Sequence, residues 1–280
     1  MPRRDFILRA RDGLLLQLYA WLPGPAPKAV IVFTHGGGEY ATKYTHVAEA
    51  MNAAGYAWLA HDLRGHGRTR GPRGHIPGYE ALLSDLSRVI AEAQTLAPGG
   101  PLFLAGHSLG GQITAAYILD RQPEVAGVIL NAPWLRLLFR PDEWKVLLAK
   151  LLASVWPGFT QTTGLDGAVP MTHDTALAAS YPDQQLGHSM MSARLGLDAL
   201  ARGDEVFLRA PDFRSPLLLL HGEADGVFAA STSHDFFNRV ASADKTFRTY
   251  PGLFHETLNE TERAVVIADV LAWLGERVTA

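Results

Sequence analysis

The chain has 280 residues, 48% of them apolar, with a formal net charge of −3 and no cysteine. This content supports a large core, excludes a strongly basic nucleic-acid-binding face, and excludes disulfides and thiolate metal sites. No run reaches the ~18–20 apolar residues of a spanning helix. Arg9 and Asp12 interrupt the first apolar stretch before it attains signal-peptide length, so a cytoplasmic protein is expected.

In chain order, FILRA and LLLQLYAWLP flank Arg11-Asp12-Gly13, a hairpin signal. AVIVFTH, residues 29–35, is a short all-apolar run, as in a strand buried on both faces. GGGEYATKY leads into a helix that ends near Gly55, and YAWLAHD is the next strand. A glycine-rich loop, LRGHGRTRGPRGH, precedes YEALLSDLSRVIAEAQTLA, whose apolar residues recur at three and four. PLFLAGH reads as a strand, LGGQITAAYILDRQ as a helix and AGVILNAP as a strand. The alternation then stops for about 80 residues of helical periodicity with no clear strand. It resumes with SPLLLLHGEAD, the helix STSHDFFNRVA, the strand KTFRTYPG and the helix TERAVVIADVLAWLGERV. Such alternation specifies an α/β fold, a mostly parallel central sheet with helices on both faces. Residues 1–133 and 214–280 form its core, and residues 134–213 form a helical cap inserted at the edge where ligands bind in open sheets.

Gly106-His107-Ser108-Leu109-Gly110 lies between a strand and a helix and matches G-x-S-x-G. In that context the serine sits on a tight, strained turn at the sheet edge, and the amide after it faces a developing oxyanion. A serine hydroxyl needs a base to take its proton, and in this arrangement the acid and then the histidine follow in the chain. Asp225 falls just past the LLLLHG strand and His255 in the loop after the KTFRTY strand, both at strand carboxyl ends. Glu223 and Asp235 are rival acids, and His221 and His234 are rival bases, all placed less well relative to strand ends. The second oxyanion donor is expected from His35-Gly36-Gly37-Gly38-Glu39, with the Gly37 amide joining that of Leu109. His35 reads as a hydrogen-bonding brace within this loop.

HGGGEY, HDLRGHGRTRGPRGH, GHSLGG, LLLLHGEADGV and FHETLNE together make the sequence similar to serine hydrolases of the α/β-hydrolase superfamily. Within it, the chain most resembles the monoacylglycerol lipase and lysophospholipase-like group. The resemblance implies the α/β-hydrolase fold, an oxyanion loop at residues 35–39, a nucleophile at Ser108, an acid at Asp225 and a base at His255. It also implies acyl esters of glycerol or lysophospholipids as the substrate class. Tyr40 stands where relatives often carry histidine, and SYPDQQLGHSMMSARL matches the cap of such proteins only loosely.

Within the insertion, Trp144, Leu147, Leu148, Leu151, Leu152, Val155 and Trp156 recur at three and four. Pro141 with Asp142 and Glu143 suits a first helical turn, and Pro157-Gly158 ends it. The preferred reading has this face pack inward and roof an acyl pocket, with Trp144, Leu148 and Leu152 touching substrate. The alternatives are peripheral contact with a membrane or micelle and a dimer surface. The histidines of residues 61–75 lack metal-ligand spacing and are expected to brace the catalytic edge.

The leading function is carboxylic-ester hydrolysis through an acyl-enzyme, with no metal or organic cofactor. An aminopeptidase of the same fold is the alternative. It would need an acidic anchor for the substrate amine, for which Asp174, Asp183 and Asp198 are available. A non-catalytic binding protein on the same scaffold is the third reading.

Overall fold

A computed structural model describes residues 3–24, 26–138, 142–164, 168–181 and 183–278. Its main sheet has eight strands, lying in the order Arg4–Arg9, Leu15–Trp21, Ala57–His61, Val30–Thr34, Leu102–His107, Gly127–Asn131, Leu217–Gly222 and Lys245–Tyr250. β1 (Arg4–Arg9) and β2 (Leu15–Trp21) form the hairpin that the Asp-Gly signal indicates, with Arg9 opposite Leu15. Gly13, at φ 88°, supplies the left-handed turn residue. β2 also runs antiparallel to β4 (Ala57–His61). The remaining strands, β3 (Val30–Thr34), β5 (Leu102–His107), β6 (Gly127–Asn131), β9 (Leu217–Gly222) and β10 (Lys245–Tyr250), pair in parallel.

The two-residue period of a strand divides the core in two. On one face Val30, Val32, Leu59 and Leu104 pack beneath α2 (Tyr79–Leu96), α3 (Leu109–Arg121) and α7 (Ala230–Arg239). On the other, Ile31, Phe33, Trp58 and Phe103 pack beneath α1 (Thr45–Ala53) and α8 (Arg263–Val278). β9 shows burial overriding propensity. Four consecutive leucines suit a helix, yet Pro216 precedes them, and all are buried between the two layers.

The inserted subdomain lies between β6 and β9 and contains α4 (Glu143–Val155), α5 (Thr175–Ser180) and α6 (Ala193–Leu208). It also contains two short strands that the sequence does not announce. β7 (Thr160–Thr162) and β8 (Met190–Ser192) pair antiparallel. Thr-Gln-Thr and Met-Met-Ser are too short to display a period, so only pairing across the intervening chain reveals them. α6 buries Leu195, Ala199, Val206 and Phe207 and is tied to α3, because the Gln112 side-chain amide donates to the Ala199 carbonyl at 2.9 Å. Pro141, expected in the first turn of α4, lies outside the described residues. Among the described residues no helix is long and apolar enough to cross a membrane.

Candidate active site

β5 ends at His107 and α3 begins at Leu109, leaving Ser108 alone on the turn with φ 54° and ψ −120°. A non-glycine residue held there costs on the order of 1–3 kcal/mol. Three hydrogen bonds impose it: the Ser108 amide donates to Asn131 O, and the Ser108 carbonyl accepts from the Gln112 and Trp134 amides, each at 3.0 Å. The flanking glycines allow the close approach this requires. A Cβ on Gly110 would lie 2.1 Å from the Thr34 carbonyl oxygen, and one on Gly106 would lie 2.4 Å from that of Gly110.

Asp225 lies beyond β9 and His255 beyond β10, at the same edge as Ser108. His255 Nδ1 donates to Asp225 Oδ2 at 2.7 Å, and Ser108 and His255 line one cavity. The Asp225 carboxylate takes three further hydrogen bonds. Oδ1 accepts from the Val227 and Phe228 amides at 2.7 and 3.0 Å, and Oδ2 accepts from His221 Nε2 at 3.1 Å. Burial works against its charged form, but His255 and His221 outweigh burial and hold the carboxyl well below the usual carboxylate range. His221 is therefore a partner of the acid, fully buried, with its other nitrogen 2.8 Å from Ser233 Oγ. The rival acid Glu223 instead bonds the Thr249 hydroxyl at 2.7 Å, and the rival base His234 lies beside Asn238.

Gly37 stands over the first residue of α3, since a Cβ built on it would lie 3.6 Å from Leu109 Cδ2. The Leu109 amide heads the helix, where N–H groups have no intrahelical acceptor. The Gly37 amide has no protein acceptor among the described residues. On either side of it the loop is fixed. His35 Nδ1 donates to Gly36 O at 2.8 Å, and the Gly36 amide donates to Glu39 Oε2 at 2.7 Å.

Glu39 also organises a charged group that the sequence does not reveal. Lys43 Nζ donates to Glu39 Oε1 at 2.7 Å and to Glu256 Oε1 at 2.6 Å. This half-buried ammonium joins the loop of residues 35–39 to the residue following His255. Burial favours the neutral form of each partner. The Lys43 charge nevertheless holds Glu39 well below the carboxylate range, and the two carboxylates hold Lys43 above the usual lysine range.

The cavity measures about 710 Å³. Trp134, Leu137, Met191, Leu195, Val227 and Phe228 contribute apolar wall, while Glu39, Lys43 and Glu256 contribute charge. α4 contributes Lys145, Val146 and Ala149. The sequence-based pocket residues lie elsewhere: Trp144 and Leu148 are exposed, Leu152 is half-buried, and none of the three lines the cavity. The apolar stripe of α4 faces outward, with Trp144 63%, Leu147 69%, Leu151 60% and Val155 78% exposed. Helical spacing identifies a stripe, but not the side on which the rest of the protein lies.

The histidines around the site are neutral by burial. His35 and His66 are pushed down, and His61 and His107 are pushed down to about 3. In the unfolded chain each titrates near 6.5. A histidine whose folded value is depressed contributes stability that is complete above the unfolded value and is lost as pH falls toward the folded one. His61 and His107, with folded values of about 3, each add a slope of roughly 1 kcal/mol per pH unit as pH falls below the unfolded value. The melting temperature should therefore fall steeply between pH 6.5 and 4.5 in a calorimetric series. A flat curve over that interval would rule out neutral burial of these rings.

The fold and the site together define a serine hydrolase of the α/β-hydrolase class. The sequence model of a family described as serine aminopeptidase, S33, matches residues 25–262, and the chain belongs to that family. A monoacylglycerol lipase of Mycolicibacterium smegmatis is 32% identical over 94% of this chain and 93% of its own length. An uncharacterized abhydrolase domain-containing protein of Dictyostelium discoideum is 31% identical over 97% of this chain, which spans 29% of that longer protein. Among solved structures, a monoacylglycerol lipase from Paleococcus ferrophilus superposes with a TM-score of 0.83 at 28% identity, covering 94% of this chain and 99% of that one.

Proposed function

We propose that the chain hydrolyses single-chain acyl esters of the monoacylglycerol or lysophospholipid type, the monoacylglycerols foremost. His255, oriented by Asp225, takes the Ser108 proton, and Ser108 attacks the acyl carbonyl. The Gly37 and Leu109 amides receive the oxyanion. The alcohol leaves with the proton from His255, and water then releases the acid. Residues 134–213 act as the cap that shapes the acyl pocket in this reading.

The observation that carries the proposal is one cavity holding Ser108, His255, an apolar wall and a lysine bonded to two carboxylates. Lys43 is already matched by two carboxylates, and Lys145 pairs with Asp142 at 2.8 Å. Neither lysine stands uncompensated for a phosphate, which favours a neutral polyol head group. The amine anchor of an aminopeptidase is disfavoured on the same grounds. Asp174 is engaged by Arg263, Asp183 by Arg68 and Asp198 by Arg194, and none of the three lines the cavity.

The test is kcat/KM on p-nitrophenyl esters of rising chain length, beside 1-oleoylglycerol, lysophosphatidylcholine and an aminoacyl anilide. Each buried methylene should add up to about 0.8 kcal/mol, close to fourfold, until the pocket is full. Oleoylglycerol should exceed lysophosphatidylcholine, and the anilide should be poorest. A preference for acetate or the anilide would overturn the reading.

The outward face of α4 is assigned to peripheral contact with lipid, where Trp144, Leu147 and Leu151 would enter the interface. Leu147→Asp with Leu151→Asp should abolish sedimentation with phosphatidylcholine vesicles and leave hydrolysis of dissolved p-nitrophenyl butyrate within about twofold. Undiminished vesicle binding would remove this assignment. Conversion of a wild-type dimer to monomer would make the face a subunit contact.

A further inference from the structure

We infer that His188, a residue of the inserted subdomain, positions the Gly37 amide by holding the oxyanion loop from outside the α/β core. The inference rests on the acyl-transfer reading of the site. Within residues 35–39 the Gly36 amide and carbonyl are both bonded locally, by Glu39 and His35. The other side of Gly37 is closed by the Glu39 amide, which donates to the Gly36 carbonyl at 3.4 Å, and is held across the subdomain boundary, where the His188 amide donates to the Gly38 carbonyl at 2.9 Å. Gly38 has φ +76°, and a Cβ on it would lie 2.2 Å from the His188 carbonyl oxygen. The two backbones therefore touch at a separation that only glycine permits.

The His188 ring fixes that contact. Nε2 lies 3.0 Å from the Gly65 carbonyl, which can only accept, so Nε2 carries the proton. Nδ1 is then an acceptor and takes the Met190 amide at 3.2 Å. The ring also packs against His66, with centroids 4.6 Å apart, and His66 packs against His35 at 5.6 Å. Both ring nitrogens and one ring face are thus committed to holding the segment just before β8 against the loops at Gly38 and Gly65. Without the ring, this segment loses its tie to Gly65. The Gly38 carbonyl then loses a fixed donor, and the turn that carries the Gly37 N–H, anchored at the Gly36 carbonyl by His35, is held at one end only. His188 touches no reacting atom in this scheme and acts through Gly37.

The test compares wild type, His188→Ala and His188→Gln on p-nitrophenyl butyrate. It also measures inhibition by an alkyl trifluoromethyl ketone, whose adduct with Ser108 carries an oxyanion, and by the corresponding unreactive alcohol. Loss of one oxyanion donor lowers kcat by about 10²–10³-fold, and a displaced donor should give about 10–100-fold. His188→Ala should show that fall with KM within about twofold. The ketone should weaken by a similar factor while the alcohol binds as before. His188→Gln, which retains a donor that reaches toward Gly65, should recover at least a third of the lost log kcat. Should the alanine variant not fold, His188→Asn, too short to reach Gly65, replaces it with the same expectations. Unchanged kcat and ketone affinity overturn the inference while leaving the acyl-transfer reading in place. So does equal weakening of ketone and alcohol, since that marks general loss of the pocket. A wild-type protein that hydrolyses none of the esters overturns both.

Discussion

Replacing Ser108 with alanine should lower kcat on every acyl ester by about 10⁴–10⁶-fold, the scale of losing the nucleophile from a cooperating triad. The fold should survive. Alanine keeps the Cβ, and the turn is held by backbone groups of Asn131, Gln112 and Trp134 that the substitution does not touch. Removing the hydroxyl of a buried residue from a strained position should leave the melting temperature unchanged or slightly raised. Steady-state kinetics with calorimetry on the same preparation would check both halves. Stoichiometric labelling by a fluorophosphonate should also vanish. A variant that retains more than about a tenth of wild-type turnover would mean that another group attacks the ester.

The second large effect is expected from Asp225→Asn, at about 10⁴-fold in kcat. The reason lies in which atom meets which donor. Oδ1 accepts two backbone amides, so the asparagine oxygen is drawn to that position. The amide nitrogen then falls at the place of Oδ2, where two imidazole N–H groups, from His255 and His221, converge. Donor would face donor. His255 escapes by moving its proton to Nε2, and in that tautomer it cannot take a proton from Ser108. Glu223→Gln, which alters a carboxylate bonded to an exposed threonine hydroxyl, should stay within about twofold of wild type. His234→Ala should do the same, because that ring lies on α7 away from the cavity. A reversed ranking, with Glu223→Gln the more damaging, would move the acid to Glu223.

Much of this architecture was legible because it is local. The all-apolar runs of β3, β5 and β9 announce strands covered on both faces. Asp-Gly marks the first hairpin, and G-x-S-x-G between strand and helix marks the turn that isolates Ser108. Chain order then directs attention to Asp225 and His255, whose 2.7 Å contact requires only that β9 and β10 end at the same edge.

What escaped the sequence are relations between distant segments. His221 reads as a strand-end histidine, and its role beside Asp225 depends on a loop that returns the carboxylate toward it. Lys43 and Glu256 are 213 positions apart and carry no shared pattern, yet their contact joins the two loops that flank Ser108. His188 meets Gly38 and Gly65 only because the insertion folds back over the sheet edge.

α4 draws the boundary most clearly. Its sequence determined a helix with one apolar face, because hydrophobic spacing is a property of the helix alone. Whether that face turns inward or outward depends on the position of every other segment. The tertiary structure placed Val146 and Ala149 toward the cavity and left Trp144, Leu147 and Leu151 facing out. The sequence by itself thus determined the sheet, the serine turn and the order in which Ser108, Asp225 and His255 reach the sheet edge, all of which follow from neighbours along the chain. The shape of the pocket, the partners of its charges and the direction of the α4 stripe were decided only in three dimensions, where burial and hydrogen bonding depend on residues that no local pattern brings together.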